Sequence, residues 1–113
     1  MKITHNKTYN YFIELSETVN LDEYSSIVIR YKTTSASTYL YACDEKTGGN
    51  SIDVNSLAGS SVATGADGDY VEVDILSALK AKTDTLKWVK TWCNDASGGD
   101  IYIDSITFTK NPA

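Results

Sequence analysis

"SSIVIRYKTT", residues 25–34, decides the fold. Ile27, Ile29 and Tyr31 fall on one parity, and Val28, Arg30 and Lys32 on the other. Side chains alternate across a strand, so a stretch of this kind turns one face to the core and the other outward. "DYVEVDI", residues 69–75, repeats the pattern, with Val71, Val73 and Ile75 against Tyr70, Glu72 and Asp74. Working outward, "KITHN" (2–6), "YNYFIELSETV" (9–19), "STYLYACDE" (37–45), "SIDVNSL" (51–57), "TLKWVKTWC" (85–93) and "IYIDSITFT" (101–109) also read as strands. "KTGGN", "AGSSVATGADGD" and "NDASGGD" separate them as turns and loops. Only "LSALKAKT" (76–83) has a helical pattern. About eight short strands and one helical turn predict an all-β fold, an antiparallel β-sandwich of jelly-roll type.

The chain has 113 residues, enough for one core, so residues 1–113 are expected to form a single domain. Its formal net charge is −5 and it has no Lys/Arg cluster, which excludes nucleic acid and an anionic membrane surface as expected partners. No apolar run approaches the ~18 residues of a membrane span. No charged-then-apolar leader precedes the first strand, and the expectation is a module of a larger protein. Cys43 and Cys93 allow at most one internal bridge. A disulfide in a secreted module and two buried thiols both fit.

For catalysis the residues offer little, and an enzyme in its own right is not expected. The single histidine, His5, lies near the start of the chain, where a solvated or capping role suits it. Asp22–Glu23 and Asp44–Glu45 are adjacent carboxylates, but fifteen acids on a chain this short produce such neighbours by chance. "TGGN" and "SGGD" lie between strands and do not lead from a strand into a helix as a phosphate loop does.

"TLKWVKTWC" carries the only two tryptophans. Trp88, Lys90 and Trp92 share one face, and Val89, Thr91 and Cys93 the other; Leu86 joins the core face across a bulge or twist. Turning the indoles inward would also bury the Lys90 ammonium without an evident partner, at high cost. The outward reading makes a flat apolar platform with indoles about 13 Å apart at roughly 3.3 Å per residue. Indole rings of this kind stack on the C–H faces of sugars, and Lys90 between them can donate to a hydroxyl or ring oxygen. The spacing suits a chain of a few sugar units.

The ending "DYVEVDILSALKAKTDTLKWVKTWCNDASGGDIYIDSITFT" resembles the C-terminal part of jelly-roll carbohydrate-binding modules of bacterial polysaccharide-degrading enzymes, and "LDEYSSIVIRYKTT" resembles their third strand. The resemblance covers about two-thirds of the chain and is a pattern of strands. It implies a non-catalytic, monomeric module, secreted or extracellular within a larger bacterial protein. Such a module attaches a covalently linked glycoside hydrolase to plant cell-wall polysaccharide, a neutral β-glucan, mannan or xylan. It also implies that Trp88, Lys90 and Trp92 face the ligand groove, with Tyr39 and Tyr41 on the neighbouring strand as weaker candidates. Cys43 shares a face with those tyrosines, so a Cys43–Cys93 contact across adjacent strands would turn them inward and leave Leu40 and Ala42 at the groove. Asp104 matches a position where many such modules hold a structural calcium. The expected acidic partner is missing from "MKITHNKT", and hydrogen bonding to backbone amides at a bulge is the other reading of Asp104. The alternative function is a ligand-free structural or protein-interaction sandwich of a cell-surface protein.

Overall fold

A computed structural model describes residues 2–5, 11–33, 38–45, 49–58, 70–93 and 99–112. The expected loops at 46–48, 59–69 and 94–98 lie outside the described residues, as does the side chain of His5. In chain order come β1 (Lys2–His5), β2 (Tyr11–Asn20), a 3-10 turn (Leu21–Glu23), β3 (Tyr24–Thr33) and β4 (Thr38–Cys43). Then follow β5 (Ser51–Asp53), α1 (Val54–Ala58), β6 (Val71–Asp74), α2 (Leu76–Lys80), β7 (Thr85–Cys93) and β8 (Gly99–Lys110). The strands form two four-stranded sheets, ordered β1-β8-β3-β6 and β2-β7-β4-β5. Every pairing is antiparallel.

β3 shows why the sheets pack face to face. Ile27, Ile29, Tyr31 and Thr33 are buried, while Val28, Arg30 and Lys32 between them are partly exposed. From the other sheet Leu40, Ala42, Leu86 and Val89 face them in one continuous apolar cluster. This is an all-β, sandwich-like architecture. Burying a large aliphatic side chain is worth about 1.5–3 kcal/mol, so the alternating rows dominate stability. β6 follows its expected parity, with Val73 and Ile75 buried and Glu72 and Asp74 exposed.

Helix is more widely distributed than the pattern suggests. α2 occupies only Leu76–Lys80 of the expected 76–83, with Leu76 and Leu79 buried. Asp74 anchors its start, because Leu76 N donates to Asp74 Oδ1 at 3.1 Å and Ile27 N to the same oxygen at 3.3 Å. "SIDVNSL" is a strand only as far as Asp53, where α1 begins. The Asp53 carboxylate caps that helix by accepting from Ser56 N at 3.3 Å.

α1 also joins the two sheets. The buried Tyr31 hydroxyl of β3 donates to Asn55 Oδ1 at 2.7 Å, and Asn55 Nδ2 donates to the Thr38 carbonyl of β4 at 2.9 Å. Burial, and then the Asp53 carboxylate, push the Tyr31 phenol above its ordinary pKa, so it stays a neutral donor. Asn55→Ala should leave that hydroxyl unpaired and cost about 1–3 kcal/mol. Adding Tyr31→Phe should cost less than the two single changes summed, because the orphaned donor goes with it. Urea unfolding of the four-member cycle measures this; additive losses would mean the bridge contributes nothing of its own.

Candidate functional site

The outer face of the β2-β7-β4-β5 sheet is set by the phase of β7. Leu86, Val89, Thr91 and Cys93 are buried, and Lys87, Trp88, Lys90 and Trp92 are partly exposed. The phase shifts between Leu86 and Val89, where the register of β2 with β7 breaks between Glu14 and Val19. Beyond the break, Trp88 lies opposite Glu14 and Lys90 opposite Phe12 on β2. On the other side Trp88 lies opposite Cys43, Lys90 opposite Tyr41 and Trp92 opposite Tyr39 on β4. Cross-strand partners share a face, so Trp88, Lys90, Trp92, Tyr39 and Tyr41 come together. Leu40 and Ala42, the alternative pair, are fully buried.

The rings form two groups separated by a lysine. Trp92 stacks on Tyr39 with centroids 5.7 Å apart and planes 25° apart, and Tyr39 lies 6.4 Å from Tyr41. Lys90 Nζ sits 5.6 Å from the centre of the Tyr41 ring. On the far side, Phe12 meets Trp88 edge-on at 6.3 Å. Both indoles are half-buried, held in part by these neighbours. Phe12 joins the candidates only in the structure, although the sequence carries a signal for it: Phe12 alternates with Ile13 and Leu15 and shares its parity with the charged Glu14.

Charged groups rim this face. Glu14 pairs with Lys87 at 3.6 Å, and Lys87 Nζ also donates to the Leu15 carbonyl at 2.8 Å. Asp53, opposite Tyr41, is the cap of α1. Burial, then Asp53, then Tyr39 raise the Tyr41 phenol, leaving a neutral hydroxyl able to donate and accept. Glu14 and Asp53 lie on the two edge strands of this sheet, three strand spacings and two residues apart, about 16 Å between backbones. What the face offers is aromatic surface, in one stacked and one edge-on pair of rings, with hydroxyls and an ammonium among them.

The other candidates sit elsewhere. Asp104, at the β8 bulge opposite Arg30 and Tyr31, is exposed and ion-paired to Arg30 Nε at 3.0 Å. A guanidinium in that position opposes a cation. Among the described residues no three His, Cys, Asp or Glu side chains converge as a metal site would need. Of the adjacent carboxylates, Asp22 meets Lys80 at 3.4 Å. Asp44 closes the β4–β5 turn, accepting from Thr83 Oγ1 at 2.7 Å and from Asn50 N at 2.7 Å.

No protein-family model matches the chain, and no curated protein matches it in sequence.

The cysteines are both buried free thiols on opposite faces of one sheet. Cys93 lies opposite Thr38 on the core side, while Cys43 lies opposite Trp88 under the aromatic face. Five residues along the ladder separate them by about 17 Å, well beyond the ~7 Å limit of a disulfide. Burial pushes the Cys43 thiol up, only partly offset by Lys90. Iodoacetamide should therefore label neither thiol quickly in native protein and both after denaturation without reductant, read by intact mass. A native mass two daltons low would contradict it.

Asp44 gives a pH test. Burial raises its carboxyl, but hydrogen bonds from Thr83 and Asn50 outweigh that and hold it below the ordinary carboxylate range. A depressed folded pKa adds stability that is present above the unfolded value of about 3.9 and lost as pH falls through the folded one. The carboxylate is largely solvated, so the effect is small, about 1 kcal/mol or less. Asp44→Ala should melt a few degrees lower at pH 7, with the gap closing below pH 3. A gap independent of pH would assign the loss to packing.

Proposed function

We propose that this chain is a non-catalytic carbohydrate-binding module. The observation that carries this reading is the gathering of Trp88, Trp92, Tyr39, Tyr41 and Lys90 on one outer sheet face. Partly exposed aromatic rings grouped on one face mark binding surfaces. These rings run along β7 for roughly the length of a few sugar units. The stacked Trp92–Tyr39 pair and the edge-on Trp88–Phe12 pair offer two apolar ring groups. Lys90 and the tyrosine hydroxyls between them are suited to sugar hydroxyls.

The strand order β1-β8-β3-β6 over β2-β7-β4-β5, in which the chain passes repeatedly from one sheet to the other, supports a jelly-roll description. On this reading the ligand is a neutral β-linked glucan, mannan or xylan of plant cell walls. The module works outside the cell and tethers a linked polysaccharide-degrading enzyme to its substrate.

Affinity electrophoresis through gels carrying soluble glucan, mannan or xylan tests this. At least one polysaccharide should retard the native chain. Trp88→Ala or Trp92→Ala should weaken retardation more than about 10-fold, and Lys90→Ala less, since aromatic hot spots carry roughly 2 kcal/mol or more. Because the indoles are half-buried and ring-paired, each change should also lower Tm by a few degrees without unfolding the chain. Retardation by none of the three polysaccharides, or retardation indifferent to both tryptophans, would rule the reading out.

A further inference from the structure

The sandwich closes unevenly along β8. β1 pairs with it only over Gly99–Tyr102, in a register from Lys2 opposite Tyr102 to His5 opposite Gly99. β8 runs on to Lys110 and stays paired with β3 on its other side to that residue. Among the described residues, no strand pairs with Asp104–Thr109 on the β1 side.

Behind this open edge the interior is apolar and incompletely covered. Leu15, Tyr24, Ile106 and Phe108 pack on the core yet remain only partly buried. β2 bulges at the same level, leaving Ser16, Glu17 and Thr18 exposed. Leu15, Ser16, Glu17, Val19, Tyr24 and Phe108 enclose a cavity of about 240 Å³ there. Natural edge strands are normally blunted by charge, proline or a bulge. Here the bulge at Asp104 and the charge of Lys110 stand at the two ends, and "SITFT" between them carries none of these devices.

We propose that the β8 edge is a strand-acceptor slot, to which a partner polypeptide adds an extended strand antiparallel to Asp104–Thr109, seating aliphatic side chains in the cavity beside Phe108 and Leu15. The direction follows from the existing ladder, since such a strand continues the register of β1 along β8. Six residues span about 20 Å, and the pleat turns every second one inward. Apolar residues therefore alternate with outward polar ones. Lys or Arg at outward positions suits a chain of net charge −5 and the exposed Glu17 at the rim. Main-chain hydrogen bonds supply affinity and the cavity supplies selectivity.

The test joins a probe strand, Val-Thr-Val-Lys-Val-Thr, directly ahead of Met1 in the full chain, so that alternation from Ile3 turns its valines inward, with Gly-Ser-Gly-Ser-Gly-Ser as the control. The linkage supplies a high effective concentration. The probe strand should raise Tm by about 5 °C or more over the control. It should also slow amide hydrogen exchange at residues 104–109. Leu15→Glu in the same fusion should abolish most of the gain, because it places a charge in the cavity. Equal melting and equal exchange in probe and control would overturn the slot. A concentration-dependent dimer of the unextended chain, protected at 104–109, would overturn the partner by making a second copy the occupant.

Discussion

β7 stands between β2 and β4, and its phase constrains everything on the outer face of its sheet. Val89, Thr91 and Cys93 are committed to the core beside Leu40 and Ala42. With period two, Trp88, Lys90 and Trp92 have only the other side to occupy. The antiparallel register then carries that choice across to β4, delivering Tyr39 to Trp92 and Tyr41 to Lys90. A one-residue slip would send the indoles and an ammonium into the core. The cost of burying that charge makes the register robust.

The same constraint explains what could be read from the sequence. In β7 both parities are mixed and the cost of burying Lys90 decides the facing, whereas β3 and β6 each have one apolar and one mixed parity, so their facing follows from the residue types alone. β4 does not: "TYLYAC" is apolar on both parities, and only the ladder with β7 separates the tyrosines from Leu40 and Ala42. Cys43 shows the ambiguity most sharply. It lies on the aromatic side and is still only 1% exposed, so burial and facing are separate properties there. α1 was hidden for a different reason. Ile52 and Val54 alternate as a strand would, while Asp53 supplies a helix cap that outweighs the pattern. A break of register that leaves four residues of β2 opposite Lys87 has no period to announce it.

Packing between the sheets is apolar and directionless, so it fixes their separation more firmly than their relative position. The bridge from Tyr31 through Asn55 to Thr38 adds direction, because its two hydrogen bonds hold one point of β3 against one point of β4. That point lies near Tyr39, one residue along from Thr38, and so near the Trp92–Tyr39 stack. The aromatic face thus has a buried polar reference behind it.

Support of that kind is unequal across the molecule, and the difference separates its two surfaces. The aromatic face lies on β7 and β4, strands paired on both sides, where opening requires breaking ladders with buried residues beneath. The second half of β8 is paired on one side among the described residues and backed by half-buried apolar side chains. Local opening costs least where few apolar contacts would be lost, so fluctuations should concentrate at that edge. The edge belongs to the other sheet, and it meets the aromatic sheet through the bulged part of β2 at Leu15–Val19. A rigid surface presents flat rings at little entropic cost to a stacked ligand. A loosely covered edge gains most from an added strand, since each new main-chain bond also covers apolar surface that is now half open to water.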